Sequence, residues 1–464
     1  MTSCRVETTV KERLLSALAS APADYAEIRW ETNDHTSAAY RGKEMDSVGS
    51  SRHEGGIVRA CVKGGWGMAV FDTADDLPGR VAEACANAAL VGHETTDLAP
   101  IDAPTGEVVS AQMVRDFRGV PLDEKLALIG TYNDIILEAD DAIESTMVAY
   151  MENFRTVHFA NSAGACFAEE RPRIVLYLMG IGRDGSLVQR ASESFSSAND
   201  YGVVLGHEAL AEEVGQRAAR LLKAPQCEGG AQTAVLRPDF AGVFAHEAFG
   251  HLSEADFLYE NPKMRDLMAL GRTMGVKELN IVDDGSMPGR TGSLRYDDEG
   301  TRTGKTMLIE NGVLAGHLHS RETAAKMGEK PTGNARAIAR GHAPIVRMTN
   351  TYIDAGPLTR DELFAGVDDG IYCCGMIGGQ TMMEMFTFSA AYGYRIHNGE
   401  IGELVRDIVL TGNVFETLHR MDGIADDLQM RESGGGCGKG GQSPLPVTFG
   451  GPHVRVRGVV VGGN

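Results

Sequence analysis

Two histidines, His246 and His251, flank Glu247 in the segment FAHEAFGH. Imidazole is a good zinc ligand, and a carboxylate beside a ligand can act as general base for a zinc-bound water. The familiar helical form of this pattern places the histidines at positions i and i+4, whereas here they are at i and i+5. At about 3.6 residues per turn, position i+5 lies roughly 140° around an ideal helix. We therefore expect the helix to bulge, kink or end at Phe249–His251, where Gly250 permits a break.

A catalytic zinc needs a third protein ligand and an open position. Glu254 follows His251 closely enough to reach back. Cys437 lies in the glycine-rich segment GGGCGKGGQ, where Lys439 would favour a thiolate. A cysteine among so many glycines is poorly placed for core packing, which favours a ligand over a structural cysteine. From the residues alone, Glu254 and Cys437 both stay candidates, and two unrelated histidines remain an alternative to a metal pair.

Other polar residues have weaker claims to a site. The acidic run Asp297–Glu299 can bind a cation, although a solvated acidic turn fits it better. His317 and His319 alternate on a predicted strand and so share one face, either lining a cleft or lying on a polar surface. Arg347 is a candidate to hold a substrate carboxylate or an acidic neighbour. The methionine-rich stretch Thr381–Phe388 is interpreted as core packing.

The predicted helices and strands, which must position these residues, indicate an α+β protein. We expect two N-terminal α/β units, residues 1–108 and 109–226, followed by a β-rich C-terminal domain, residues 227–464, that carries the metal-site helix. Asp97–Val108 is the best linker candidate, because it has prolines and acids and no periodicity. The periodicity predicts helices and strands as follows: helices at Val10–Ser20, Leu77–Leu90, Leu122–Ala139, Glu208–Leu222, Thr323–Met327 and Asp361–Ala365, and strands at Tyr25–Trp30, His35–Arg41, Gly56–Val62, Gly67–Phe71, Ala142–Tyr150, Thr156–Asn161 and Arg173–Gly180.

The composition narrows the class of function. The chain has 464 residues and a formal net charge of -20, which argues against nucleic acid and anionic membranes as partners. No apolar stretch reaches the roughly 18 residues of a membrane helix, and the N-terminus lacks the layout of a secretory signal, so we expect a cytoplasmic protein. The eight cysteines form no regular framework and are expected to be mostly reduced and buried.

Several separate segments resemble the TldD/PmbA family, on its TldD side. The metal motif HEAFGHLSEAD is the first of them, and the others agree in order along the C-terminal half. The first two units are similar to the family in length and order but carry no sharp motif. The further matching segments are Ile281–Leu318, TGNAR at Thr332–Arg336, RMTNTYIDAG at Arg347–Gly356, and CGKGGQ at Cys437–Gln442.

The resemblance implies a metallopeptidase that acts on short or unfolded peptides. It implies a zinc held by His246, His251 and Cys437, with Glu247 as general base, and so prefers Cys437 over Glu254 as third ligand. Glu254 then becomes a residue that orients a histidine or fixes the loop. Because this chain keeps the full histidine motif, it is expected to be the catalytic subunit of a homodimer or of a heterodimer with a PmbA-like subunit.

Two alternatives to this function remain open. The same metal site could serve a processing or maturation reaction in the biosynthesis of a peptide or another natural product. The chain could also be a non-catalytic partner subunit, although the intact HExxxH motif and the distant cysteine argue against that.

Overall fold

The computed structural model describes residues 2–432 and 434–462, with side chains from Val10 onward. Within residues 25–197, seven strands form one sheet. They are β1 Tyr25–Arg41, β2 Glu44–Val62, β3 Gly65–Phe71, β4 Thr105–Val109, β5 Ile143–Asn161, β6 Cys166–Asp184 and β7 Leu187–Ser197. Their order is β3-β2-β1-β5-β6, and the short parallel β4 and the antiparallel β7 both pair with the outer edge of β6.

One face of this sheet is apolar and is covered by helices. Successive side chains of a strand point to opposite faces, so residues such as Ile28 of β1 and Tyr150 of β5 share the face that packs against the helices. The helices carry apolar residues at helical spacing, and burying that stripe holds them on the sheet. They are α1 Thr2–Leu18, α2 Leu77–Val91, α3 Leu122–Glu138 and α4 Glu208–Lys223.

The opposite face of the sheet is charged, yet it is buried. Arg29, Arg59 and Arg171 project from it and are each less than one tenth exposed. They pair with carboxylates of the same face and with Asp298 and Glu299 of the C-terminal half. Because buried charges are tolerated only when they are paired, this network fixes how the C-terminal half sits on the sheet.

The C-terminal half, residues 227–432 and 434–462, is dominated by strands. Its helices are short: α5 Pro238–Phe244, α6 Ala255–Leu258, α7 Pro262–Leu267, α8 Arg321–Met327, α9 Arg360–Ala365 and α10 Val414–His419. Its strands are β8 Gly230–Leu236, β9 Ile281–Asp284, β10 Lys305–Glu310, β11 Val313–Leu314, β12 Ala335–Arg336, β13 Ile345–Val346, β14 Asn350–Ile353, β15 Asp369–Met382, β16 Met385–His397, β17 Glu400–Val405, β18 Val409–Asn413, β19 Met421–Ile424, β20 Gln429–Glu432, β21 Cys437–Lys439, β22 Gln442–Leu445, β23 Thr448–Gly451 and β24 Val454–Gly462.

Strands of this half form a closed ring. Going round, β15 pairs with β8, β8 with β24, β24 with β18, β18 with β16, and β16 again with β15. A second sheet has the order β11-β10-β9-β14-β23-β20. The hairpins β12–β13 and β21–β22 are separate two-stranded units.

Helix α5 lies between the ring and the second sheet. Phe244 packs edge-on against Phe386 and Phe388, which belong to the closed ring of strands. The centroids of these two aromatic side chains lie 5.3 and 5.8 Å from that of Phe244. On the other side, Gly242 approaches β23 so closely that a Cβ would lie 2.6 Å from the amide nitrogen of Gly450. The helix is therefore clamped by aromatic packing on one side and by backbone contact on the other.

The expected fold class is confirmed: the protein is a mixed α+β structure with a β-rich C-terminal half. Two expectations about strands were wrong. The runs Tyr25–Trp30 and His35–Arg41 belong to the single strand β1, and Ala142–Tyr150 and Thr156–Asn161 fall in the single strand β5, which begins at Ile143, because the residues between the runs are paired on both sides. The linker candidate Asp97–Val108 contains most of β4, which pairs with β6, and it stays a prediction. None of the described helices combines the length and apolar character that crossing a membrane requires.

Candidate metal centre

The backbone brings His246 and His251 together through a π-helical turn. This turn spans Ala245–Gly250, continues α5 directly, and is followed by a 3₁₀ turn at His251–Ser253. The amide of His251 donates to the carbonyl of His246, which is the i to i+5 hydrogen bond of a π turn. The two imidazole rings lie 5.3 Å apart. The irregular helix predicted from the i+5 spacing is thus confirmed.

Gly250 serves this turn in a different way from the one expected. Its backbone keeps right-handed helical angles, φ -56° and ψ -49°, so no left-handed break occurs. A Cβ at this position would instead overlap the sulfur of Met348. Glycine is needed here because the neighbouring side chain packs directly against the turn.

Cys437 reaches the two histidines from the hairpin β21–β22. Its Sγ lies 3.3 Å from Nε2 of His251, and the ligand atoms of His246, His251 and Cys437 all lie within 4.8 Å of one another. Burial raises the pKa of the thiol, but the attraction of the two histidines outweighs it and lowers the pKa to about 4. The group that faces the imidazoles is therefore a thiolate, the form that binds metals.

His246 provides a direct test of whether a metal fits. The ring is almost fully buried, and neither Nδ1 nor Nε2 has a hydrogen-bond partner among the described residues. Buried polar atoms without a partner are rare and costly. A zinc ion bound by two imidazole nitrogens and one thiolate would engage one nitrogen of this ring, and the donor set is one that zinc prefers. The residues present therefore fit the metal.

Glu254 lies behind the candidate ligands and is completely buried. Its carboxylate accepts a hydrogen bond from Nδ1 of His251 at 2.9 Å and pairs with Lys439 at 3.0 Å. Burial raises the pKa of Glu254, but the charges of His251 and Lys439 outweigh it, so the net pKa is lowered. The carboxylate fixes the ring orientation of His251 and leaves Nε2 directed at Cys437, as carboxylates behind metal ligands do.

Lys439 was expected to favour the thiolate of Cys437, and this interpretation was wrong. Its ammonium binds the carboxylates of Asp256 and Glu254 and the carbonyl of Val346. The residue is nearly buried and thus pins the hairpin β21–β22 to the segment that follows the metal motif.

Glu247 differs from Glu254 in that its carboxylate is accessible. The side chain is 28% exposed and its Oε2 lies 3.7 Å from Nε2 of His251. Its backbone carbonyl accepts a hydrogen bond from Oγ1 of Thr381 at 2.8 Å, which ties the π turn to β15. Glu247 thus places an accessible carboxylate beside the candidate ligands on a fixed backbone.

Arg347 supports the hairpin that carries Cys437. It is fully buried, and its guanidinium donates to the carbonyls of Cys437 at 2.6 Å and of Gln442 at 3.1 Å. The partners expected for it were a substrate carboxylate or an acidic neighbour, whereas the structure places two backbone carbonyls there. Arg347 consequently contacts both strands of the hairpin β21–β22.

His317 and His319 do not join the three candidate ligands. They lie in an irregular segment after β11, rather than on the predicted strand, and both are buried. Each one contacts Glu329. The residue between them, Leu318, pairs with the backbone beside Glu254, so this group lies behind the metal motif and not in a cleft or on a polar surface.

Two other interpretations of polar or methionine-rich segments were wrong. The run Asp297–Glu299 is buried against the charged face of the N-terminal sheet and is not a solvated turn. In Thr381–Phe388, Phe386 and Phe388 are core residues, but Met382, Met383 and Met385 are 70%, 69% and 52% exposed at the end of the β15–β16 hairpin.

Two residues of the site region were not found from the sequence. Thr381, which supports Glu247, lies in a stretch that attracted notice for its methionines only. Glu329 follows His319 by ten residues at no recognisable spacing, so no sequence signal connects it to the histidines.

Comparison with known proteins identifies related metalloproteases. Family models described as PmbA/TldA metallopeptidase domain 1, central domain and C-terminal domain match residues 26–90, 115–224 and 229–463. Metalloprotease slr0863 of a Synechocystis strain is 42% identical, over 95% of both chains. The zinc metalloprotease TldD homolog of Saccharolobus solfataricus is 33% identical, over 69% of this chain and 72% of the relative.

The fold is also found in a crystal structure. TldE from Thermococcus kodakarensis superposes with a TM-score of 0.76, covering 98% of this chain and 99% of that one. The two sequences are 18% identical, so this likeness shows the fold alone. From the three family models and the relatives of similar length, we conclude that the chain belongs to the TldD/PmbA family of metallopeptidases.

Proposed function

We propose that the protein is a zinc-dependent peptidase that hydrolyses short or unfolded peptides, with Glu247 as general base. The observation that carries this proposal is the convergence of His246, His251 and Cys437 beside one accessible carboxylate. The orphaned ring nitrogens of buried His246 further support a resident metal.

In the proposed reaction, zinc and the side chains of the protein have separate roles. Bound zinc supplies Lewis-acid polarisation of a peptide carbonyl and makes water more acidic. Glu247 takes a proton from the attacking water and passes it to the leaving amine. Glu254 holds His251 in one orientation, and Arg347 holds the backbone of Cys437, so the ligand atoms are positioned before metal arrives.

The burial of the candidate ligands supports a preference for unfolded substrates. His246 and Cys437 are each 2% exposed, and Glu247 is accessible only in part. A thin extended peptide can approach such a recessed site, whereas a folded surface is held away by the surrounding chain. Main-chain recognition of an extended peptide would give little side-chain specificity.

An exposed apolar hairpin supports the expected dimer. Ile377, Met382, Met383 and Met385 lie exposed on the hairpin β15–β16, the same hairpin whose Thr381 supports Glu247. Exposed apolar patches mark surfaces that contact other proteins, and methionine adapts to different partners. A second copy of this chain or a PmbA-like subunit, in the cytoplasm, is the proposed partner.

The decisive experiment compares Glu247→Gln with Glu278→Gln, a control at an exposed glutamate. Both variants should retain stoichiometric zinc by elemental analysis. Hydrolysis of an unstructured peptide should fall by about 10²- to 10⁴-fold in Glu247→Gln and stay unchanged in the control, because only Glu247 moves the proton. Hydrolysis by a zinc-loaded Glu247→Gln variant within a few-fold of the wild-type rate would refute the proposed role.

A further inference from the structure

A second group of metal-ligating side chains lies apart from the proposed active centre. It consists of His317, His319 and Glu329, whose ligand atoms all lie within 4.8 Å of one another. The two histidines are almost completely buried, and the carboxylate of Glu329 is 20% exposed. Nδ1 of His317 lies 2.9 Å from one carboxylate oxygen of Glu329, and Nε2 of His319 lies 3.1 Å from the other.

The outer nitrogens of the two rings are already engaged. Nε2 of His317 lies 2.8 Å from the carbonyl oxygen of Met268, and Nδ1 of His319 lies 3.1 Å from Oγ1 of Thr323. A carbonyl oxygen only accepts hydrogen bonds, so Nε2 of His317 must carry the ring proton. Metal-binding histidines are held in this way, with the distant N–H donated to a carbonyl or similar group.

The contact at the centre of the group needs a cation between its two atoms. With its proton on Nε2, His317 directs the lone pair of Nδ1 at a carboxylate oxygen, which also only accepts. Either a second ring proton or a metal ion supplies the positive charge that this contact requires. The other oxygen of the same carboxylate faces Nε2 of His319, so all three ligand atoms lie together.

We propose that His317, His319 and Glu329 bind a second divalent transition-metal ion, distinct from the one at His246, His251 and Cys437. Two imidazoles and one carboxylate form a donor set that zinc uses, with a water free to complete the coordination through the exposed side of Glu329. A metal ion supplies the positive charge between Nδ1 of His317 and Glu329 while both rings stay neutral.

The position of this second site gives it a structural role. Leu318 donates to the carbonyl of Ser253 and accepts from the amide of Ala255, so the segment 317–319 pairs with the chain around Glu254. Glu254 in turn orients His251. A metal at the second site therefore stiffens the backbone on which the first site rests, and its presence is independent of whether the first site hydrolyses peptides.

The test counts metal ions per chain after zinc loading and removal of excess ion. The compared proteins are the wild type, Cys437→Ser, Glu329→Gln and the control Glu310→Gln, which alters the exposed glutamate at the end of β10. We expect two zinc ions per chain in the wild type and the control, and one in each of the other variants. Glu329→Gln should fold, because its amide can donate to Nδ1 of His317 and accept from Nε2 of His319.

Cobalt provides a second readout that identifies which site is filled. Cobalt bound to a thiolate gives an intense charge-transfer absorption, so the Cys437 site and the proposed site differ in their spectra. Titration of the wild type should show two equivalents, of which only one carries the thiolate band, and Glu329→Gln should lose the other. One equivalent in the wild type, or two in Glu329→Gln, would overturn the second site while leaving the first untouched.

Discussion

The glutamate behind the metal motif allows a quantitative prediction. Glu254 is completely buried and holds Nδ1 of His251 at 2.9 Å. Hydrogen bonds to charged groups contribute about 1.5–3 kcal/mol, against about 0.5–1.5 kcal/mol for neutral ones. Glu254→Gln keeps the shape but removes the charge, so it should cost about 1–2 kcal/mol of zinc binding, a rise of about 5- to 30-fold in Kd. This overlaps the loss of about 10- to 100-fold that is typical when such supporting groups are changed.

The assay is competition for zinc against a chelator of known affinity, at one pH and one ionic strength. Asp256→Asn is the matched control, because Asp256 shares Lys439 with Glu254 but is not a partner of His251. The control should bind zinc within about twofold of the wild type. An equal loss in both variants would mean that the effect acts through Lys439. Unchanged affinity in Glu254→Gln would refute the orienting role itself.

Three further predictions concern stability and the supports of the site. Arg347→Leu leaves the carbonyls of Cys437 and Gln442 without their donor, at about 1–3 kcal/mol each, and should lower both Tm and zinc content; thermal unfolding and elemental analysis check this. Gly242→Ala should destabilise the protein by about 1–3 kcal/mol in urea, because of backbone overlap with β23, whereas Gly304→Ala, with open space around it, should not. For Asp298, burial raises the pKa but Arg171 and Arg29 outweigh it, so the folded-state pKa is depressed. Its stabilisation is present above the unfolded pKa, about 3.9, and is lost as pH falls through the folded value, so the stability gap between wild type and Asp298→Asn should shrink in urea titrations below pH 4.

The spacing of the two histidines was enough to predict the irregular helix at the metal motif. An i+5 pair cannot meet on a regular helix, so the sequence FAHEAFGH required an irregular one, and the π turn satisfies this requirement. The third candidate ligand had a weaker signal. The glycine-rich surroundings of Cys437 made it a candidate beside Glu254, and only the resemblance to a known family preferred it. Cys437 is 186 positions from His251. Helix and strand periodicity describes neighbours along the chain and does not indicate which distant loop will meet them.

Burial was predicted wrongly for two segments, the acidic run and the methionine-rich stretch. An acidic run such as Asp297–Glu299 is typical of solvent-exposed turns, yet Arg171 pairs with Asp298 across 127 positions and makes its burial possible. The opposite error occurred for Met382 and Met383, which are apolar but lie at a hairpin end with nothing described against them. Both errors have one cause, since burial depends on the tertiary arrangement and residue type alone is a weak guide to it.

The closed ring of strands also bears on when the protein can become active during its synthesis. Its members β8 and β24 pair with each other, although β8 begins at Gly230 and β24 ends at Gly462. A nascent chain that lacks β24 leaves β8 and β18 with open edges, and α5, which precedes the π turn, lacks a complete surface to pack on. Cys437 also emerges late. The histidines are therefore made long before the residues that complete the proposed site, so on the proposed function we expect an unfinished chain to be inactive towards other nascent peptides.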